Sequence, residues 1–107
     1  MQLPDPVQTY FDADQRKDHD AFVAAFAADA VVRDERNIYR GHSDIGAWWR
    51  AAKLKYDHHA VPFEAISEDG SLRVRATVTG NFPSSPATLT YSFSLSGDRI
   101  AALAITA

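Results

Sequence analysis

The chain has 107 residues, of which 46% are hydrophobic and 11% aromatic, enough for one folded domain with a modest core. A formal net charge of −3 provides no general attraction to nucleic acid or to an anionic membrane surface, so neither is expected as a partner. The absence of cysteine excludes disulfides, thiolate metal sites and a cysteine nucleophile.

The N-terminal residues do not have the pattern of a targeting segment. Met1 to Asp5 lacks both a basic start and an apolar run. No apolar stretch approaches the roughly 18 residues that a membrane-spanning helix needs. We therefore expect a cytoplasmic protein consisting of a single domain, residues 1–107, without repeats or linkers.

The first predicted element is a helix capped by Asp5. Pro6 then occupies its first position, where a missing N–H has no energetic consequence. Apolar residues follow at i, i+3, i+4 and i+7 spacing, which predicts one buried face. That face carries Val7, Tyr10, Phe11 and Asp14.

Two more helices and two short strands complete the predicted first half. Asp18 can cap a second helix, whose alanine-rich apolar stripe runs over 22–30. The period then changes, which predicts strands at 31–34 and 37–40. Ser43 is positioned to cap a third helix, which carries both tryptophans.

The second half alternates apolar and polar residues with period two. This pattern predicts strands at 56–67, 72–82, 89–95 and 100–105, with a tight hairpin at Asp69-Gly70. Clean alternation is typical of an antiparallel sheet with one buried face. The expected fold class is therefore α+β: a curved antiparallel sheet wrapped around three helices, forming a cone with an internal pocket.

One segment resembles a known superfamily. The run Phe26-Ala27-Ala28-Asp29-Ala30-Val31-Val32-Arg33-Asp34, followed by Tyr39-Arg40-Gly41 and a tryptophan-bearing helix, resembles SnoaL-like members of the nuclear-transport-factor-two-like superfamily. The resemblance covers the whole chain and implies a cystatin-like α+β roll. This fold hosts isomerases, cyclases, dehydratases, epoxide hydrolases and non-catalytic binders, so it does not fix an activity.

A more distant resemblance, to ketosteroid isomerase, implies roles for individual residues. Asp34 falls where that family carries its general base, and Tyr10 falls where it carries the oxyanion-hole tyrosine, with Phe26 between them. The family's third residue is a protonated aspartate two positions before Phe93. This chain has Tyr91 there, which removes a carboxyl donor and argues against steroid isomerisation itself.

Each of these residues also has a purely structural interpretation. An inward Asp34 would have its pKa raised by burial and could act as a base, whereas at an exposed strand end it would only pair with an arginine or a tyrosine hydroxyl. Tyr10 and Tyr91 lie on predicted buried faces. Each is either a hydrogen-bond donor to a ligand or an ordinary core tyrosine.

His58 and His59 are adjacent in the predicted strand and so point to opposite faces. They cannot jointly bind one metal ion. We favour His58, together with Tyr56, as the inward residue. A histidine beside Asp34 would form an acid–base pair similar to that of the fold's dehydratases.

The remaining expectations concern the pocket wall and the outer sheet face. Of the two adjacent tryptophans, one is expected in the core and the other at the pocket mouth or in a subunit contact. The outer face carries Arg73 and Arg75 among threonines and serines but no aromatic residues for stacking on single-stranded nucleic acid, so a homodimer through this face is expected. The expected pocket-lining side chains are Phe26, Trp48, Trp49, Tyr56 and Phe93.

Two functions are compatible with these patterns. The first is an isomerase, cyclase or dehydratase without cofactor or metal, which uses Asp34, Tyr10, Tyr91 and His58 on a small apolar carbonyl compound. The alternative is a non-catalytic ligand-binding or dimerisation module. A collapsed interior, below the ~300 Å³ of usual ligand pockets, would favour the module.

Overall fold

The computed structural model describes all 107 residues as three helices and one six-stranded sheet. The α+β class predicted from the sequence is confirmed. None of the helices is long and apolar enough to span a membrane. In chain order the elements are α1 (Asp5–Arg16), α2 (His19–Ala24), β1 (Phe26–Asp34), β2 (Asn37–Arg40), α3 (Gly41–Tyr56), β3 (His59–Glu68), β4 (Ser71–Thr79), β5 (Ala87–Ser96) and β6 (Arg99–Thr106).

The sheet is open and mixed, with strand order β2-β1-β6-β5-β4-β3. Four neighbouring pairs are antiparallel, but β1 and β6 run parallel, with Val32 opposite Leu103. The prediction of a wholly antiparallel sheet was therefore wrong at this pair. Alternation identifies a strand's buried face but carries no information about the direction of a partner about 70 residues away.

The second helix is shorter than predicted. Asp18 caps it as expected, accepting a hydrogen bond from the backbone N–H of Ala21 at 3.2 Å. The helix ends at Ala24, however, and the alanine-rich segment from Phe26 onward forms β1. The N–H of Ile100 donates to the carbonyl of Ala25 at 2.9 Å, so pairing with β6 overrides the helix propensity of alanine.

The third helix also has different ends. It begins at Gly41, so Ser43 is inside the helix rather than at its cap. It continues to Tyr56 and stops where Asp57 adopts a left-handed conformation, donating its N–H to the carbonyl of Lys53. The strand predicted from residue 56 therefore begins at His59, and His58 lies in the connection.

The first helix supplies the inner layer of the core. Pro4, not Asp5, occupies its cap position, but the buried face is the predicted one. Tyr10 packs on Phe93 and Phe22, with ring centroids 5.4 and 4.8 Å away. Fully burying such an apolar side chain stabilises a fold by about 1.5–3 kcal/mol. This aromatic cluster fixes the position of α1 against the concave face of the sheet.

Candidate active site

An internal cavity of about 300 Å³ lies between α1, α3 and the concave face of the sheet. Most of its wall is apolar, but side chains that can exchange protons or donate hydrogen bonds also line it, among them Tyr10, Asp34, His58 and Tyr91. The structure therefore brings together all four residues selected from the sequence as catalytic candidates. This geometry satisfies the first requirement for acid–base chemistry, a common space that a ligand can enter.

Tyr10 and Tyr91 present neutral phenols to this cavity. Their ring centroids are 6.0 Å apart, and both side chains are 4% exposed. Burial raises the pKa of both hydroxyls, and for Tyr10 the nearby Tyr91, Asp14 and Asp34 raise it further. The side-chain hydrogen bonds around the cavity involve Trp48, Trp49 and Tyr56, and none uses either hydroxyl. Both hydroxyls are therefore available to donate to a ligand.

Asp34 lies at the end of β1, half-buried at the cavity mouth. Burial raises the pKa of its carboxyl above the usual 3.8, and the adjacent charge of Glu35 acts in the same direction. Trp48 opposes this shift by donating its indole N–H to Asp34 Oδ2 at 3.1 Å. This hydrogen bond also fixes the orientation of the carboxylate. The indole binds Oδ2 and does not bind Oδ1.

A buried cluster behind the cavity was missed in the sequence analysis. Asp14 is 2% exposed, and its Oδ1 lies 2.9 Å from Trp49 Nε1, 3.0 Å from Lys53 Nζ and 3.4 Å from His58 Nε2. Lys53 Nζ also donates to the carbonyl of His58 at 2.6 Å. The signal was present, because Asp14 shares the apolar face of α1. A carboxylate there must find a buried cationic partner.

The cluster keeps Asp14 ionised. Burial alone would raise the pKa of its carboxyl, but the hydrogen bond with His58, the Lys53 ammonium and the Trp49 donor together lower it below 3.8. Asp14 Oδ2 is the one buried side-chain oxygen or nitrogen without a hydrogen-bond partner. The carboxylate therefore acts through Oδ1, where it holds the imidazole of His58 at the cavity wall.

The loop that carries His58 is packed tightly against Gly80. A Cβ at Gly80 would lie 2.7 Å from the carbonyl oxygen of Tyr56 and 3.0 Å from the Cα of His58. The N–H of Asn81 donates to that same carbonyl at 2.7 Å. Only glycine permits this approach, so the end of β4 positions His58 as firmly as Asp14 does.

The aromatic residues expected in the pocket wall divide into two groups. Trp48, Trp49 and Tyr56 line the cavity, with Trp49 buried and Trp48 half-buried at the mouth, as expected. Phe26 and Phe93 do not line it. They are fully buried against Tyr10, with ring centroids 6.0 and 5.4 Å away, because the ring of Tyr10 separates them from the open space.

The two histidines lie on different sides of the chain. His58 reaches the cavity, with its side chain 19% exposed, whereas His59 begins β3 and is exposed. No group of three or more histidine, cysteine or acidic side chains is arranged to hold a metal ion. Apolar side chains from β4, β5, β6 and the loop after β4 complete the wall: Val78, Phe82, Leu89 and Ile105.

Comparisons with known proteins place this architecture among related folds. Residues 7–102 match the family model of the SnoaL-like domain. A provisionally assigned polyketide cyclase from Sinorhizobium meliloti is 48% identical and superposes with a TM-score of 0.94, over 97% of this chain and 95% of that chain. No curated protein matches the sequence.

More distant structures share the fold alone. A provisionally assigned ketosteroid isomerase from Kribbella flavida is 12% identical, with a TM-score of 0.81 over 95% of this chain and 74% of that one. A SnoaL-like protein of unknown function from Burkholderia thailandensis is 17% identical, with a TM-score of 0.79 over 94% and 89%. The curved sheet and three helices are thus shared well beyond detectable sequence similarity.

Proposed function

We propose a function on the premise that this chain belongs to the SnoaL-like family, whose model matches residues 7–102. It is a cofactor-independent enzyme that transfers protons on a small apolar carbonyl compound. One observation carries the proposal: the Asp34 carboxylate and the unpaired phenols of Tyr10 and Tyr91 line one largely apolar cavity. A base and two neutral donors are the groups that enolisation requires.

The proposed reaction begins when Asp34 removes a proton from the carbon next to the carbonyl. The electrons of the broken C–H bond form the enolate, whose oxygen accepts hydrogen bonds from Tyr10 and Tyr91. The protonated Asp34 then returns the proton, to the same carbon or to a conjugated one. The raised pKa values of both phenols keep them neutral, so they stabilise the anion without being deprotonated.

The Asp14–His58 pair favours a second candidate within the same class. A dehydratase or cyclase must also move a proton to or from an oxygen, which requires a second proton carrier. If His58 donates its Nε2 hydrogen to Asp14, its Nδ1 becomes the proton acceptor. This reaction would require His58, whereas simple enolisation would not.

The non-catalytic alternative receives less support from the geometry. The interior has not collapsed, since the cavity reaches the ~300 Å³ at which ligand pockets begin. Asp14 Oδ2 is the one enclosed side-chain oxygen without a partner, so the two unpaired tyrosine hydroxyls are open to the cavity, where a ligand can reach them. The cytoplasmic location and the absence of a cofactor remain predictions from the sequence.

Replacing either phenol tests the proposal. Tyr10→Phe and Tyr91→Phe should each lower the rate of enolisation by about 10²-fold, because each removes one donor to the enolate oxygen. Thermal stability should stay the same or rise slightly, since no protein group loses a hydrogen bond. The rate is measured by NMR as exchange of the α-protons of small ketones in D2O. Unchanged exchange in both variants would contradict the assigned roles.

We also propose that the protein forms a homodimer through the outer sheet face. Three apolar side chains of edge strand β3 are exposed there: Val61 by 57%, Phe63 by 49% and Ile66 by 41%. They adjoin the polar strip of β4, where Arg75 stacks over Phe63 at 5.3 Å, so the expectation that this face carries no aromatic residue was wrong. Light scattering after size exclusion should give about twice the 11.8 kDa chain mass, and Phe63→Glu should give the monomer. A wild-type monomer at high concentration would exclude the dimer.

A further inference from the structure

A second cavity lies on the solvent side of the internal cavity, which holds the proposed catalytic residues and which we name the catalytic cavity. This space, which we name the outer cleft, is open, has a volume of about 440 Å³ and crosses the surface of α3. Asp34, Glu35, Trp48 and Tyr56 line both cavities, so a ligand could extend from one into the other. The polar and aromatic side chains that enclose the cleft are Asp34, Glu35, Tyr39, Asp44, Trp48 and Tyr56.

The outer cleft has a strong charge imbalance. Three carboxylates line it, against the single ammonium group of Lys55. The proposed enolisation assigns no step to Asp44, and Glu35 enters it only through its effect on the pKa of Asp34. A narrow opening lined by one sign of charge attracts ligands of the other sign, and the attraction weakens as salt is added.

Aromatic faces accompany these charges. The rings of Tyr39 and Trp48 lie 5.8 Å apart at an angle of 30°, and Trp48 holds Asp34 through its indole N–H. The hydroxyl of Tyr56 donates to Glu35 Oε1 at 3.4 Å. The cleft thus contains two pairs of an aromatic ring and a carboxylate, and such a combination stabilises an organic cation more than either group alone.

The chain already places one ammonium group in this environment. Lys55 Nζ lies 5.0 Å from the centre of the Tyr56 ring. Its pKa is raised, chiefly by the hydrogen bond and charge interaction with Tyr56 and further by Glu35. An ammonium group thus already lies over this aromatic ring, and the exposed Lys55 side chain can move away when a ligand cation enters.

We propose that the outer cleft binds the alkylammonium end of a ligand whose apolar carbonyl end occupies the catalytic cavity. The carbonyl end rests on the proposed function, but the ammonium end does not, because it follows from the walls of the cleft alone. The substrate class is therefore an amino ketone or a related cationic carbonyl compound, with the charge a few bonds from the reacting carbon.

Two matched ketones test this proposal by calorimetric titration of the whole protein. Trimethyl(4-oxo-4-phenylbutyl)ammonium and 5,5-dimethyl-1-phenylhexan-1-one have the same shape, differ only in the charged nitrogen, and hold that position a few bonds from the carbon next to the carbonyl. At low salt we expect the cation to bind about fivefold more tightly than the neutral ketone. Equal affinities would overturn the cation site and leave the proposed function intact. If neither ketone binds, both proposals fail.

Substitutions in the cleft sharpen the test. Glu35→Gln should weaken binding of the cation about threefold, whereas Lys55→Gln should strengthen it, because a competing ammonium is removed. Lys55→Gln should leave the affinity for the neutral ketone unchanged, because Lys55 lines only the outer cleft. Asp69→Asn, in the exposed hairpin turn outside the cleft, makes the same change in net charge as Glu35→Gln and should have no effect. A Lys55→Gln protein that binds the cation more weakly would contradict the proposal.

Discussion

Asp34→Asn should lower the rate of enolisation by about 10²–10⁴-fold without unfolding the protein. Asparagine has the size of aspartate, and its side-chain oxygen can still accept the hydrogen bond from Trp48 Nε1. The variant therefore retains the contact that orients the side chain and loses only the ability to take a proton. The measurement is α-proton exchange in D2O, together with a thermal melt.

The pKa of Asp34 gives this prediction a pH dependence. Because the folded state raises the pKa of Asp34, the ionised carboxyl lowers the stability of the fold. This loss of stability is absent below the unfolded-state pKa and complete above the folded-state pKa. At neutral pH, Asp34→Asn should accordingly melt at the same temperature as the wild type or slightly higher. Wild-type activity should fall as the pH is lowered through the raised pKa of Asp34, because the base becomes protonated.

Asp44→Asn is the matched control. It removes the same charge from the same end of the molecule, but Asp44 lines only the outer cleft and not the catalytic cavity. Its exchange rate on a neutral ketone should equal that of the wild type. An active Asp34→Asn protein would remove the proposed mechanism and favour a binding role, and equal losses in both variants would indicate a general electrostatic effect.

Periodicity predicted the parts of this fold whose faces differ in polarity. The alternation through β4, from Leu72 to Val78, identified the buried face correctly because every second side chain meets the helices. The spacing on α1 likewise located Tyr10 in the interior. These positions depend on a local pattern that repeats, and such a pattern is visible in a single sequence.

Other features depend on partners that are distant in the chain. Residues 26–30 read as helix because alanine favours helices, yet they form a strand because β6 pairs with Phe26 and again from Val31 onward. The position of His58 depends on the left-handed Asp57 and on the close approach of Gly80. The sequence predicts that Phe26 is buried, and for this reason it was expected in the pocket wall. It carries no sign that the ring of Tyr10 lies between Phe26 and the cavity.

The candidate catalytic residues were identified from residue type and family resemblance. The buried cluster around Asp14 that holds His58 was not identified. Asp14 and Lys53 are 39 positions apart, and Lys53 has no feature in the sequence that distinguishes it from the exposed Lys55 two residues later. The fold places the ammonium of Lys53 against Asp14 of α1 and leaves Lys55 in solvent. A carboxylate on the apolar face of a helix was the one available sign that a buried cation had to exist.

Asp14→Asn should accordingly cause the largest loss of stability, about 3–5 kcal/mol in the free energy of unfolding. The Lys53 side chain is only 8% exposed, and its ammonium lies 3.0 Å from Asp14 Oδ1. Neutralising Asp14 leaves that charge buried without a counter-charge, because the amide oxygen, the carbonyl of His58 and the ring of Trp49 are all neutral partners. Urea unfolding at neutral pH measures the loss.

A second substitution separates the buried charge from other effects. Adding Lys53→Met to Asp14→Asn removes the unpaired ammonium and should recover a large part of the stability, because a buried ion pair can be replaced by apolar groups at little cost. Asp57→Asn is the matched control. Asp57 pairs with Lys17 at 2.9 Å, but both side chains are 54% exposed, so its loss should be far smaller.

Acid provides an independent check on the same pair. Because the folded protein lowers the pKa of Asp14, its contribution is complete above the unfolded-state pKa, about 3.9, and is lost as the pH falls through the folded-state value. The difference in stability between wild type and Asp14→Asn should therefore be constant near neutral pH and shrink below about pH 4. A difference that persists in acid would show that packing, rather than the charge of Asp14, holds α1 against α3. In that case His58 would owe its position to the Gly80 contact alone.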